Sequence, residues 1–110
     1  MKPGTIAVIF VSQRATADRE GYEKAAREMI SAAQEFPGYC GIHSVRDADG
    51  IGITVSYWAS EEAARAWKAD AAHTAIREQG RSTWYEWYEM IIADVTRCYS
   101  WRKDGPAVGR

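Results

Sequence analysis

The sequence predicts a single α+β domain made of two successive β-α-β halves. Three observations predict this class: apolar patterns that alternate between strand and helical spacing, an Asp-Gly turn near the middle, and a length of 110 residues. That length suits one hydrophobic core. A chain of this size buries only about 60–70% of its unfolded surface, so a large ligand cavity favours a second subunit that helps to enclose it.

The first strand is expected in residues 5–13. Successive residues of a strand point to opposite faces, and here the residues of both faces are apolar: Ile6, Val8 and Phe10 form one set, and Ala7, Ile9 and Val11 form the other. This pattern is typical of a strand that is covered on both faces. Because polar residues follow at once, with no small-residue cleavage site, a strand is favoured over a signal peptide.

A helix follows, with Thr16 or Asp18 as its N-cap and apolar residues recurring at helical spacing from Tyr22 onwards. Pro37 and Gly38 end this helix, because proline bars the preceding residue from helical geometry.

Two further strands are expected in residues 39–47 and 51–58, around the turn at Asp49-Gly50. Ser60 then caps a second helix, whose apolar stripe runs towards Gly80 through Ala63, Ala64, Trp67, Ala71 and Ala75. A last strand is expected over residues 90–101. The domain therefore spans residues 1–102, and residues 103–110 form a flexible tail.

This order of elements is that of the ferredoxin-like fold, a four-stranded antiparallel sheet with both helices on one face. The first strand is nevertheless apolar on both sets, so something else must cover the second face. In so short a chain we expect that cover to be a second copy, which makes the protein a homodimer.

Composition excludes several classes of function. The formal net charge is −1, and the basic residues are spread along the chain without a run of three, so a nucleic-acid partner is not expected. Without an export or membrane segment, the expected location is the cytoplasm, with no membrane partner. Cys40 and Cys98 are predicted to be free, half-buried thiols. No ligand spacing typical of a metal site is present.

Several short segments resemble one known family. They are Phe36-Pro37-Gly38-Tyr39, the run from Tyr57 to Ala63, Trp67-Lys68, His73, Gly80-Arg81, Trp84-Tyr85-Glu86 and Tyr99-Ser100-Trp101. On these residues the chain resembles the antibiotic biosynthesis monooxygenase (ABM) domain proteins, especially the haem-degrading-monooxygenase-like branch. The resemblance implies a dimeric α/β barrel in which two sheets pack face to face and each subunit encloses a cavity. The family includes cofactor-free oxygenases, haem-degrading enzymes and proteins without known activity, so the fold alone does not choose among them.

The haem-degrading members carry an Asn on the first strand, a Trp in the second helix and an iron-binding His about ten residues later. Trp67 matches the Trp position. The His position falls on Arg77, with His73 one helical turn earlier, and the nearest amide on the first strand is Gln13. Two of the three elements therefore depart from the haem-degrading pattern.

His73 and Arg77 are the candidate catalytic residues. Their spacing of four places both side chains on one helix face, where they could hold an anionic or carbonyl-bearing ligand; the alternative is a polar helix end packed by the following loop. Imidazole also titrates near neutral pH, as a base requires. His43 is expected on an exposed edge strand.

The aromatic residues are numerous, with 5 Trp and 6 Tyr in the chain. Such density suits a wall for a flat ring, with core and dimer packing as the alternative. The candidate substrate-binding residues are Trp67, Trp84, Tyr88 and Tyr57.

Three functions follow as hypotheses. The first is an ABM-type monooxygenase that acts on a small planar aromatic or quinol-like compound without metal or flavin. The second is a haem-binding, haem-degrading monooxygenase that uses His73. The third is a non-catalytic dimer that binds a small aromatic molecule.

Overall fold

The computed structural model describes residues 1–70 and 76–105. Its elements, in chain order, are β1 (Ile6–Arg14), α1 (Arg19–Glu35), β2 (Tyr39–Arg46), β3 (Ile51–Trp58), α2 (Glu61–Ala69), a π-helical turn (Gly80–Trp84) and β4 (Tyr85–Asp94). The four strands form one antiparallel sheet in the order β2-β3-β1-β4. This confirms the predicted ferredoxin-like topology, with β1 and β3 in the centre and β2 and β4 at the edges.

Both helices pack on the same face of the sheet. Their shared core contains Ile6 of β1, Trp58 of β3, Ala33 of α1, and Ala64 and Trp67 of α2. The register places Ile6 opposite Trp58. The indole rings of Trp58 and Trp67 stack with centroids 5.6 Å apart. This face, the helix face, therefore holds the core of the domain.

The other face of the sheet has no helix on it. Ile53, Trp87 and Ile91 project from this face by the pairing register, and they are 43%, 45% and 45% exposed. The chain thus leaves a broad apolar surface on the face opposite the helices, as the second apolar set of β1 predicted. We call it the open face.

The predicted helix caps are confirmed. Asp18 caps α1, and its carboxylate accepts a hydrogen bond from Gly21 N. Ser60 caps α2 by accepting from Ala63 N. α1 ends before Pro37, where Phe36 already has extended backbone (φ −81°, ψ 139°).

Two predicted boundaries are wrong. α2 ends at Ala69, because Asp70 leaves helical backbone geometry (ψ 135°), so the predicted second helix is not continuous as far as Gly80. Residues 76–79 are helical again, just before the π-helical turn. Ala71 and Ala75 lie outside the described residues. The last strand is Tyr85–Asp94 rather than 90–101. It lies opposite β1, whose first residue Ile6 pairs with Asp94, and the pairing continues only as far as Val95, which exchanges backbone hydrogen bonds with Gly4 and Thr5.

After Val95, which still bonds to Gly4 and Thr5, the chain leaves the sheet. Residues 95–102 have no regular structure, and Arg97 and the aromatic side chains of Tyr99 and Trp101 are exposed. Cys40 and Cys98 are free, as predicted, but both are exposed rather than half-buried. No helix in the described ranges is long and apolar enough to cross a membrane.

Candidate active site

A cavity of about 120 Å³ lies between the sheet and α1. Its floor comes from the helix face of the sheet, including Val8, Phe10 and Thr54, and its roof includes Tyr22 and Met29 of α1. Most of the wall is aliphatic or aromatic. A cavity of roughly 150 Å³ with apolar walls is known to take a benzene molecule, so this space is close to the size of one aromatic ring.

One end of the cavity is a cluster of aromatic rings. Phe10 meets Tyr85 and Tyr88 with centroids 5.3 and 5.1 Å apart. Tyr22 lies edge-on to Tyr85 at 5.9 Å and to Trp84 at 6.1 Å. Three of these four contacts are edge-to-face and the Phe10–Tyr88 pair is tilted. Together they fix the ring planes, so the wall is shaped before any ligand binds.

A β-bulge turns Tyr85 into this cluster. Gln13 pairs with Trp87, but the next residue, Arg14, pairs with Tyr85, so Glu86 is the extra residue in β4. Regular alternation would place Tyr85 on the same face as Trp87, the open face. The bulge reverses that direction, as bulges beside functional sites often do.

Burial raises the pKa of the Tyr85 phenol well above its ordinary value, and the neighbouring Tyr22 raises it further. The guanidinium groups of Arg46 and Arg14 act in the opposite direction but do not reverse the shift. Tyr85 therefore stays a neutral hydroxyl at physiological pH. It can donate a hydrogen bond to a ligand, but it does not supply a phenolate base.

Arg46, at the end of β2, brings a positive charge to the cavity. Its Nη2 donates to the hydroxyl of Tyr22 at 2.8 Å and to that of Ser12, which is fully buried, at 3.1 Å. Its Nη1 donates to Gly50 O. The guanidinium crosses Gly52 of β3, where a Cβ atom would lie 2.5 Å from Arg46 Cζ. A glycine in the strand is what allows the arginine to lie there.

Two more arginines border the same region. Arg14 lines the polar recess that adjoins the cavity, and its Cζ lies 5.0 Å from the centroid of the Tyr22 ring. Arg77 lines the cavity, and its Nη1 donates to Lys68 O at 3.3 Å. In both residues the Nε atom is buried without a hydrogen-bond partner among the described residues. A buried N–H group lowers the stability of the fold unless it donates a hydrogen bond to an acceptor.

Four of the six predicted site residues lie around this cavity: Arg77, Trp67, Trp84 and Tyr88. Tyr57 does not join them. It faces the open face, because the register sets it opposite Ala7 of β1, and its hydroxyl shares a hydrogen bond of 3.1 Å with Nδ1 of the exposed His43. His73 lies outside the described residues.

Trp84 and Tyr88 are each held by a polar contact. Trp84 Nε1 donates to Asp18 Oδ2 at 3.2 Å, which links the π-helical turn to the cap of α1. Arg81 Nε donates to the Tyr88 hydroxyl. Both rings are thereby fixed against the cavity rather than free to rotate.

Sequence reasoning missed Arg46, Tyr22 and Tyr85 as site residues. One signal was available for Arg46: the interior glycine of the next strand, Gly52, marks a place where another group approaches closely. Tyr22 was assigned to the helix stripe, which is correct, but its hydroxyl also reaches Arg46. The direction of Tyr85 depends on the bulge, which no residue pattern in β4 announces.

The family model for antibiotic biosynthesis monooxygenases matches residues 5–79 of the chain. The chain belongs to the antibiotic biosynthesis monooxygenase (ABM) family. A relative, the uncharacterized protein YqjZ of Bacillus subtilis (strain 168), is 47% identical over 96 residues, which cover 87% of this chain and 83% of YqjZ.

Solved structures share the fold at low identity. A putative antibiotic biosynthesis monooxygenase from Nitrosomonas europaea superposes with a TM-score of 0.74 at 15% identity, covering 86% of this chain and 93% of its own. SnoaB, a cofactor-independent oxygenase from Streptomyces nogalater, gives 0.73 at 13% identity, covering 86% of this chain and 96% of its own. The ABM fold predicted from the sequence is thereby confirmed.

Proposed function

We propose that this ABM protein is a monooxygenase that oxidises a small planar aromatic or quinol-like compound without a metal or flavin. The observation that carries the proposal is the ring-sized cavity of about 120 Å³, with its aromatic end wall and with arginine side chains beside it, of which Arg14 and Arg77 have a buried Nε atom. The name of SnoaB as a cofactor-independent oxygenase supports the same reaction class in a protein of this fold.

In the proposed reaction the substrate supplies all of the electrons. In the keto tautomer of a phenol or quinol one ring carbon carries two hydrogens, and this carbon reacts with O₂. Both of its C–H bonds break, one oxygen atom becomes the new carbonyl oxygen, and the other leaves as water with the two hydrogens. The protein then has three tasks: to orient the ring, to exclude bulk water and to stabilise the substrate in its ionised, electron-rich form.

The residues around the cavity suit these tasks. The rings of Phe10, Tyr85 and Tyr88 offer edges and faces that hold a flat ligand in one plane. Arg77 has a buried Nε–H that can donate a hydrogen bond to a substrate oxygen. Such a bond would favour the ionised form of the substrate hydroxyl. His73 is the proposed base for that hydroxyl.

The test is oxygen consumption by metal-free, flavin-free protein with a panel of quinols and other phenolic rings. We expect uptake of one O₂ per product formed, and Arg77→Gln should lower kcat. Arg65→Gln is the matched control, because Arg65 is exposed and pairs with Glu61 on the surface of α2. His73→Ala should weaken ligand binding while leaving the fold largely intact.

If no compound is turned over although ligands raise the melting temperature, the non-catalytic binding hypothesis replaces the oxygenase. Absence of both uptake and binding across the panel would contradict the use of the cavity for aromatic rings.

The described residues do not fit haem in this cavity. About 120 Å³ holds roughly one ring, whereas haem has four pyrrole rings around its iron. His43, the histidine in the described part of the chain, lies on the other side of the sheet, next to Tyr57. Hemin titration tests this conclusion: we expect no Soret shift with the wild-type protein, and a saturable shift at one hemin per chain would reverse it.

A further inference from the structure

We propose that the substrate ring carries a carboxylate, and that Arg14 and Arg46 hold this group where the cavity opens into the neighbouring polar recess. The inference rests on the function proposed above, because it names the class of compound that the same cavity takes. The preferred ligands are then aromatic acids rather than neutral rings.

The first support is the position of Arg46. Cavity and recess share Tyr22, Ser44 and Arg46 as lining residues, so Arg46 stands at their junction. A ring in the cavity with a substituent directed at the recess would bring that substituent to the guanidinium.

The second support is hydrogen-bonding capacity. Arginine has five N–H donors, and Arg46 directs three of them to Ser12, Tyr22 and Gly50. The other two can serve a ligand. Arg14 adds its buried Nε, which has no partner among the described residues. Fixed donors of this kind match the planar oxygens of a carboxylate.

The third support is the local charge. Arg14 and Arg46 approach the same ring, with their Cζ atoms 5.0 and 5.3 Å from the Tyr22 centroid. In the described part of the chain neither belongs to an ion pair, whereas Arg19 and Arg65 do. Both positive charges line the same recess, and together they favour an anion there.

The acidic side chains of the recess are already engaged. Glu23 accepts from Arg19 Nε at 3.1 Å. Asp47 accepts from the backbone N–H groups of Asp49 and Ile51 at 2.9 Å each, where it stabilises the β2–β3 turn. Neither carboxylate forms an ion pair with Arg14 or Arg46 in the described part of the chain, so the carboxylate of a ligand could pair with these two arginines.

Isothermal titration with benzoate and with benzamide tests the proposal, since the two ligands have the same shape and differ in charge. We expect the wild-type protein to bind benzoate at least about tenfold more tightly, as a charge-assisted hydrogen bond would give. Arg14→Gln should remove most of this preference. Arg65→Gln, which loses the same charge on an exposed surface, should keep it.

Arg46→Lys is the second variant, because lysine retains the positive charge but lacks the planar guanidinium group. It should reduce the preference for benzoate over benzamide in part. Circular dichroism checks that each variant is folded. Equal affinity for benzoate and benzamide in the wild-type protein would overturn the proposal. A preference that survives in both Arg14→Gln and Arg46→Lys, or no benzoate binding at all, would overturn it too.

Oxygen uptake separates this inference from the proposed function. If neutral quinols are oxidised while benzoate does not bind, the oxygenase stands and the carboxylate site falls. If benzoate binds through the arginines but no aromatic acid or quinol consumes oxygen, the carboxylate site stands and the oxygenase falls.

Discussion

Trp67 shows how one residue can serve both the core and the cavity. It is only 5% exposed, stacks on Trp58 and also contributes to the cavity wall. Its removal would therefore open a space in the core as well as change the site. The stability of each Trp67 variant must therefore be measured together with its ligand binding.

We expect Trp67→Ala to lower the free energy of unfolding by about 3–5 kcal/mol, because a buried indole and its contacts are lost. Trp67→Phe keeps an aromatic ring against Trp58 and should cost less. Urea denaturation followed by circular dichroism measures both. A loss below about 1 kcal/mol for the alanine variant would show that the stacked pair is not part of the structural core.

Tyr85 gives the site a pH signature. Burial raises its pKa above the ordinary value of 10.0, so the folded protein keeps the phenol proton at a pH where the unfolded chain releases it. Below about pH 10 this contribution to stability is fully present, and it is lost as the pH rises from there towards the higher folded pKa.

Tyr85→Phe removes that difference in proton binding. The variant should therefore lose less stability than the wild-type protein when the pH is raised from 9 to about 11. Thermal unfolding across this range measures the effect. Parallel curves for the two proteins would mean that Tyr85 titrates normally and is not buried against Tyr22.

At the level of the elements, local signals were enough to predict most of the architecture. Asp18, Ser60 and Pro37 act within one turn of the chain, and they set helix ends where the sequence predicted them. The two-sided apolar pattern of β1 also predicted that both of its faces are apolar, and the second set of residues lies on the open face. Each of these features depends on neighbours in sequence.

The parts that sequence did not predict depend on pairing between distant segments. The end of β4 is set by the start of β1, through the pair Ile6 and Asp94. The inward direction of Tyr85 comes from a bulge opposite Arg14. Tyr57 was placed in the site by residue type, although its register directs it to the open face. Tertiary register, rather than composition, therefore selects the site residues.

The crossing of Arg46 over Gly52 gives a test at the level of the strand pair. Gly52→Ala would place a methyl group 2.5 Å from Arg46 Cζ; the end of the arginine side chain can move, so the strand itself should persist. We expect the guanidinium to leave the buried Ser12 hydroxyl, at a cost of about 1–3 kcal/mol.

The same substitution should reduce the preference for benzoate over benzamide to about the level of Arg46→Lys. Isothermal titration and urea denaturation measure the two effects. Unchanged stability together with an unchanged preference would mean that the guanidinium does not need the space above Gly52.

For the whole molecule, the open face makes a second copy the expected partner. Ile53, Trp87 and Ile91 are about half exposed on it, and β4 lies at the edge of the sheet with one side unpaired. Exposed apolar faces and unpaired edges favour association. Two such faces together would exceed the roughly 1,000 Å² expected of a stable interface.

We expect the protein to sediment at about twice its chain mass of 12.3 kDa at low micromolar concentration. Ile53→Glu should shift it to the monomer, because a charge would be buried at the centre of the contact. Gln34→Glu, which adds the same charge on the exposed side of α1, is the control and should leave the dimer intact. A wild-type protein that is monomeric and well folded would contradict the proposed assembly.

We expect the substrate ring to bind in the cavity between the sheet and α1. A crystal structure of the protein with bound hydroquinone tests this position most directly. The ring should lie among Phe10, Tyr85 and Tyr88, on the helix face of the sheet. A ring bound instead on the open face, beside Tyr57 and His43, would show that the cavity is not the binding site and that Tyr57 is the residue that holds the substrate.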